Sequence, residues 1–158
     1  ESGAMVEEYN DKIRVSSNGK LKAVDIKTLP YPGFPTDMQA QFMAMLSLSD
    51  GTSIIHETIF ENRFMHATEL SRMGVDVKIE GSTAILKGVD KLSGTKVKAT
   101  DLRAGAALII AGMLAEGETE ITEVYHIQRG YANIVEKLQN LGANIRYEKM
   151  KISRDKFR

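Results

Sequence analysis

Five charged residues stand out by their placement: Asp37 and Asp101, each following a threonine in a Thr-Asp-x-x-Ala frame, and Arg63, Arg103 and Arg129. Arginine presents a planar fork of donors that matches a carboxylate or phosphate through paired hydrogen bonds, and helix N-termini add free backbone N–H groups. Carboxylates interleaved with arginines at the ends of elements therefore fit a small, multiply anionic substrate. Taken singly, each of these residues reads first as a member of a solvated or structural ion pair. Their repetition is what singles out the set.

The elements that must carry them are legible in local chemistry. Pro30-Tyr31-Pro32-Gly33-Phe34-Pro35 forms a stiff, extended approach with few free backbone donors. Thr36 and Gln39 then make a T-x-x-Q capping box, with Met38, Phe42, Met45 and Leu46 following at helical spacing. That predicts a helix with Asp37 in its first turn, where the dipole favours the ionised carboxylate. Spacing alone leaves open that Asp37 merely helps the helix to start.

Downstream, residues 52–60 read as β-rich, 64–73 as a helix closed by Gly74, and Val75, Val77 and Ile79 as an alternating strand that turns at Gly81-Ser82. Upstream, Ile13 and Val15 alternate with polar residues, Ser17-Asn18-Gly19-Lys20 has hairpin-turn chemistry, and residues 21–27 read as a strand.

The pattern then repeats. Thr36-Asp37-x-x-Ala40 recurs as Thr100-Asp101-x-x-Ala104; Gly51, Ile55, Glu57 and Arg63 recur as Gly117, Ile121, Glu123 and Arg129; Leu70, Gly74 and Glu80 recur as Leu138, Gly142 and Glu148. Gly3-Ala4-Met5-Val6 matches the stretches after Gly74 and Gly142, where a glycine closes a helix before a strand. The predicted organisation is a tail of a preceding repeat (1–20) and two repeat units (21–94 and 95–158), with a parent protein extending upstream. Residues 101–115 are apolar nearly all round, so that helix is expected to be buried between sheets, with Arg103 at its third position. The fold class is α/β.

Bulk properties narrow the function. Among 158 residues, 21 basic and 21 acidic side chains cancel, so nothing points to nucleic acid or an anionic membrane as partner. There is no cysteine, which excludes disulfides, thiolate metal sites and a cysteine nucleophile within this chain. The longest apolar run, 104–115, is broken by two glycines and is too short to span a bilayer. No signal peptide is visible, and a cytoplasmic location is expected. His56, His66 and His126 lack metal-ligand spacing, and no G-x-G-x-x-G or Walker pattern occurs, so no metal or cofactor is expected.

Phe34-Pro35-Thr36-Asp37-Met38-Gln39-Ala40-Gln41, Glu61-Asn62-Arg63-Phe64, Thr100-Asp101-Leu102-Arg103-Ala104 and His126-Ile127-x-Arg129-Gly130-Tyr131 together closely resemble the C-terminal part of the UDP-N-acetylglucosamine 1-carboxyvinyltransferases, which are enolpyruvyl transferases. The resemblance runs the length of the chain. It implies an inside-out α/β barrel: two lobes of three βαβαββ units each, helices inside the sheets, and an active site in the cleft between lobes. This chain would be a partial lobe.

The resemblance also implies a reaction, in which the 3-hydroxyl of UDP-N-acetylglucosamine adds to C2 of phosphoenolpyruvate and phosphate then leaves. By family position Asp37 is the proposed general base, Ile59 a backbone contact to the sugar nucleotide with Phe60 beside it, and Arg129 a phosphoenolpyruvate-binding arginine. Arg63, Arg103 and Asp101 match further cleft residues. The family's lysine, asparagine and loop cysteine, which serves as proton donor, belong to sequence not present here. The implied partners are thus the two substrates and the missing N-terminal part, and the chain alone is expected to be inactive. The alternatives are the same chemistry on shikimate 3-phosphate, or a non-catalytic repeat module that binds an anion or a protein partner.

Overall fold

The computed structural model of the protein describes residues 1–148; the end of the segment predicted over 95–158 lies outside the described residues. The chain opens with an antiparallel ribbon, β1 (Met5–Glu8) and β2 (Ile13–Ser16), in which Met5 pairs with Ser16 and Glu8 with Ile13. The ribbon reverses between Tyr9 and Lys12, where the Tyr9 N–H donates to the Lys12 carbonyl at 2.8 Å. The hairpin predicted at Ser17-Asn18-Gly19-Lys20 does not form. The Ser17 hydroxyl donates to the Gly19 carbonyl in a local bend, and the strand expected over 21–27 shrinks to β3 (Ile26–Lys27). Turn residues announce a bend but not its pairing partners, and β3 finds a parallel partner further on.

That partner is β4 (Thr52–His56), reached through a 3-10 turn (Thr36–Met38) and helix α1 (Gln39–Leu46). After helix α2 (Met65–Arg72), the predicted hairpin is present as β5 (Asp76–Glu80) and β6 (Thr83–Lys87). β6 pairs antiparallel with β4, giving a four-stranded sheet in the order β3-β4-β6-β5. Gly74 ends α2 at φ +96°, a left-handed conformation that costs glycine little, so that the Val75 N–H reaches back to the Leu70 carbonyl at 3.2 Å.

The second half contains β7 (Leu92–Ser93), β8 (Lys96–Lys98), α3 (Leu102–Leu114), β9 (Ala115–Glu116), β10 (Glu120–Thr122), α4 (Tyr125–Gln128) and α5 (Ile134–Asn140). β8 runs parallel to β10, and β7 to β9. Gly142 ends α5 at φ +94° as Gly74 ends α2. The strand expected after Gly142 is not formed, because a strand needs a ladder and none lies beside 143–148 among the described residues. Ile145 instead packs against the small cluster of Ala99, Ile109 and Ile127.

α1 and α3 lie side by side in the interior. Both carry small buried residues, Ala40 and Ala44 on α1 and Ala104, Ala107 and Ala111 on α3, which lets helices approach closely. Met43, Leu46 and Leu108 share one core with Ile26, Ile55, Ala84 and Leu86 of the four-stranded sheet. Helices are therefore covered by sheet, as the all-apolar helix required. Burial is not complete along α3: Met113 and Leu114 at its C-terminal end are 47% and 44% exposed.

His66 of α2 is buried in this core, its Nε2 3.1 Å from the Met43 sulfur. Burial pushes its pKa down to about 4, against the weaker opposing pull of the Asp101 charge and a hydrogen bond with the Arg63 backbone. The unfolded chain binds this proton near pH 6.5 and the folded one only near pH 4. Stability from the neutral ring is thus complete above pH 6.5 and is lost as the pH falls through that window, by about 3 kcal/mol in all. Denaturant midpoints measured from pH 7 to pH 4 should fall accordingly, and His66→Gln should flatten the decline. An unchanged slope in that variant would contradict the assignment.

Candidate functional site

Asp37, Arg63, Arg103 and Phe60 meet at the N-terminal ends of α1 and α3. Asp37 Oδ1 accepts from Arg103 Nε at 2.5 Å and lies 2.5 Å from Arg103 Nη2 in the same ion pair, and Arg63 Nη1 lies 4.0 Å from the same oxygen. The Arg63 guanidinium stacks over the Phe60 ring, 4.1 Å from its centroid, a cation–π contact that holds its heading. Asn62, at φ +56°, makes the turn that presents Arg63; asparagine tolerates this conformation better than most residues. The Asp37 side chain is 64% exposed, and a pair so wet contributes at most about 1 kcal/mol to folding. Three ionised groups converge here with little stability to gain, so stability alone does not explain the arrangement.

The capping box predicted at Thr36 and Gln39 is absent: Pro35 stands at the N-cap, and neither turn nor helix has a side-chain cap. The Thr36 hydroxyl donates instead to Glu57 Oε2 at 2.9 Å, and a bond to an ionised acceptor outcompetes a neutral cap. In the second half the carboxylate itself caps. Asp101 Oδ1 accepts from the N–H groups of Arg103 and Ala104 at 2.8 and 3.0 Å, which places Arg103 at the second helical position, not the third. Asp101 therefore anchors the turn that carries Arg103, and its carboxylate is not a second free one in the cluster.

Arg129 follows α4, is exposed, and has no ion-pair partner among the described residues. The adjacent Gly130 backbone abuts the Leu102 side chain at the start of α3, which puts Arg129 at the same end of the molecule as Asp37 and Arg103. Ile59 sits between β4 and Arg63 with its N–H donating to Glu57 Oε1 at 2.8 Å, so the group it can offer a ligand is its carbonyl.

Glu57 is the residue that sequence reading passed over as a mere repeat position. It is 2% exposed and accepts four hydrogen bonds, from the hydroxyls of Thr28 and Thr36 and the N–H groups of Ile59 and Phe60. Burial alone would raise its pKa; these four donors outweigh burial and hold it below the usual carboxylate value. A signal was present: Ser53, Ile55 and Glu57 alternate onto the inward face of the strand. Among the described residues no group of three or more His, Asp or Glu is placed to hold a metal ion.

Residues 1–151 match the EPSP synthase (3-phosphoshikimate 1-carboxyvinyltransferase) family. The chain belongs to that family. Within it, the chain is 61% identical over 145 residues to UDP-N-acetylglucosamine 1-carboxyvinyltransferase 1 of Caldanaerobacter subterraneus subsp. tengcongensis and to UDP-N-acetylglucosamine 1-carboxyvinyltransferase 2 of Clostridium tetani, covering 92% of this chain and 35% of each relative. The chain thus spans about a third of the length of these relatives. Among solved structures, the enolpyruvyl transferase NikO from Streptomyces tendae superimposes with a TM-score of 0.85 at 29% identity, over 93% of this chain and 34% of that one. EPSP synthase from Acinetobacter baumannii shares the fold, with a TM-score of 0.67 at 20% identity. The predicted α/β enolpyruvyl transferase architecture, present in part, is therefore the observed one.

Proposed function

We propose that the chain is one wall of an enolpyruvyl-transfer site, built from two repeat units (21–94 and 95–158) after the tail of a third (1–20). In the full-length parent, the enolpyruvyl group passes from phosphoenolpyruvate to the 3-hydroxyl of UDP-N-acetylglucosamine with release of phosphate, the first committed step of peptidoglycan synthesis, in the cytoplasm. The observation that carries this reading is the Asp37 carboxylate held by Arg103 with Arg63 beside it. The names of relatives at 58–61% identity favour the sugar nucleotide over shikimate 3-phosphate as acceptor.

In this reading Asp37 takes the proton of the acceptor hydroxyl as its oxygen bonds to C2 of phosphoenolpyruvate, while C3 is protonated from a donor outside this chain. Loss of a C3 proton and departure of phosphate then restore the double bond. A carboxylate is a weak base at neutral pH, so placement does much of the work. Arg129 binds phosphoenolpyruvate, Arg63 neutralises the reacting anions, and Arg103 orders the Asp37 carboxylate. Ile59 and Phe60 line the sugar side, and Asp101 acts by fixing Arg103.

Acceptor choice tests the assignment. The full-length parent given phosphoenolpyruvate should release phosphate with UDP-N-acetylglucosamine and not with shikimate 3-phosphate. The opposite preference would move the protein to the sister chemistry, and release with neither would leave a binding module.

A further inference from the structure

We infer that Glu57 is a positioning residue of this site: it clamps the two stems of the proline-rich loop together and so sets Asp37 on one side and the Ile59–Phe60 backbone on the other. The inference rests on the roles proposed above for Asp37 and Ile59.

The internal repeat shows what the fold itself requires. Lys27 pairs with His56 in β3 and β4, and Lys98 with Thr122 in β8 and β10. The next residue in each first strand donates its N–H across the pair at 3.0 Å, Thr28 to His56 and Ala99 to Thr122, so Thr28 and Ala99 are equivalent, as are Glu57 and Glu123. In the second copy the threonine hydroxyl is missing, and Glu123 lies near the surface, paired with Lys98 at 3.1 Å and accepting from the Tyr125 hydroxyl at 3.1 Å. The same parallel pair and the following helix form there without a buried carboxylate. The clamp is therefore an addition to the fold, present only in the copy that carries Asp37.

The two copies differ in one further way. Ala99 leads directly into Thr100-Asp101, whereas residues 29–35 intervene between Thr28 and Thr36-Asp37. Asp37 thus stands at the far end of an inserted loop. Glu57 spans its base: Oε1 accepts from Thr28 at 2.9 Å and Oε2 from Thr36 at 2.9 Å. The Thr28 hydroxyl in turn accepts from the Thr58 N–H at 2.9 Å, and the Thr58 hydroxyl donates to the Thr28 carbonyl. Oε1 also takes the N–H groups of Ile59 and Phe60, at 2.8 and 3.2 Å, which directs that stretch to face a ligand with carbonyls and side chains. Burying a carboxylate is unfavourable unless its acceptor sites are filled, and here both oxygens are occupied by donors from three separate stretches of chain.

The test compares Glu57→Ala, Glu57→Gln and Thr36→Val in the full-length parent. Glutamine keeps the shape and an acceptor for the two N–H groups, and its amide can donate to the Thr36 oxygen. Glu57→Ala should lower kcat about 100-fold, the loss expected of a catalytic group displaced by about an ångström, with the KM for phosphoenolpyruvate changed less than about threefold. Glu57→Gln should restore kcat to within about tenfold of wild type. Thr36→Val releases only the Asp37 arm and should lower kcat while leaving the KM for the acceptor in place.

A second readout needs no turnover. The Ile59 and Phe60 amides should exchange with solvent about tenfold faster or more in Glu57→Ala, with the amides of α1 and β4 unchanged. A wild-type parent without activity would refute the functional reading, and exchange would then decide the clamp by itself. Wild-type kcat in folded Glu57→Ala, equal exchange at Ile59 and Phe60, or faster exchange spread over the whole core would overturn the inference. If Glu57→Ala does not fold, unchanged kcat in Thr36→Val overturns it.

Discussion

Replacing Asp37 by alanine in the full-length parent is expected to abolish phosphate release while leaving the protein folded. A positioned general base contributes about 10²- to 10⁴-fold, and the loss here should lie at the upper end because the second Thr-Asp pair offers no substitute. Asp101 is held by two backbone N–H groups at the start of α3 and cannot take over. Stability should scarcely change, since the Asp37 side chain is 64% exposed and such a pair contributes at most about 1 kcal/mol. Asp37→Asn keeps the shape and a hydrogen-bond acceptor but not the basicity, so it should fall nearly as far as alanine. Phosphate release and thermal unfolding on the same samples separate the two effects; near-normal turnover in either variant would remove Asp37 from the mechanism.

Arg103 should show the second largest effect, and it should depend on Asp37. Two of its nitrogens converge on one carboxylate oxygen at 2.5 Å, which the single ammonium of lysine cannot reproduce. Arg103→Lys should therefore cost at least about tenfold in kcat/KM, and Arg103→Ala about 100-fold, although only lysine preserves the charge. Residues that act as a unit give non-additive losses. The double variant Asp37→Ala, Arg103→Ala should be no slower than Asp37→Ala alone. Fully additive losses would mean that Arg103 works on the substrate independently of Asp37.

Much of the fold was legible where local chemistry decides it. The hairpin at Gly81-Ser82 and the glycine-closed helix at Gly74 depend on neighbours in sequence, and both formed as expected. Failures came where a distant group competed for a local one. Thr36 has good capping chemistry, but a carboxylate 21 residues away takes its hydroxyl. Ser17-Asn18-Gly19-Lys20 has turn chemistry, but β2 is already paired with β1, and β3 lies parallel to β4. Asp101 looked like a twin of Asp37 because the two share a frame in sequence, but Asp101 stands at the cap of α3, whereas Asp37 lies inside a 3-10 turn that Pro35 caps. The charged cluster was readable because repeats bring equivalent ends together. Glu57 was readable only as an inward strand position; its role lies in four donors gathered from separate stretches.

The most direct test of the central claim is phosphate release from phosphoenolpyruvate and UDP-N-acetylglucosamine, measured side by side for the full-length parent and for these 158 residues alone. Release by the parent and none by the isolated chain is the predicted result, because in the proposed reading the Asp37–Arg103 wall acts together with an opposite wall and a proton donor outside these residues. Comparable turnover by the isolated chain would contradict the account, as would a folded parent that releases no phosphate.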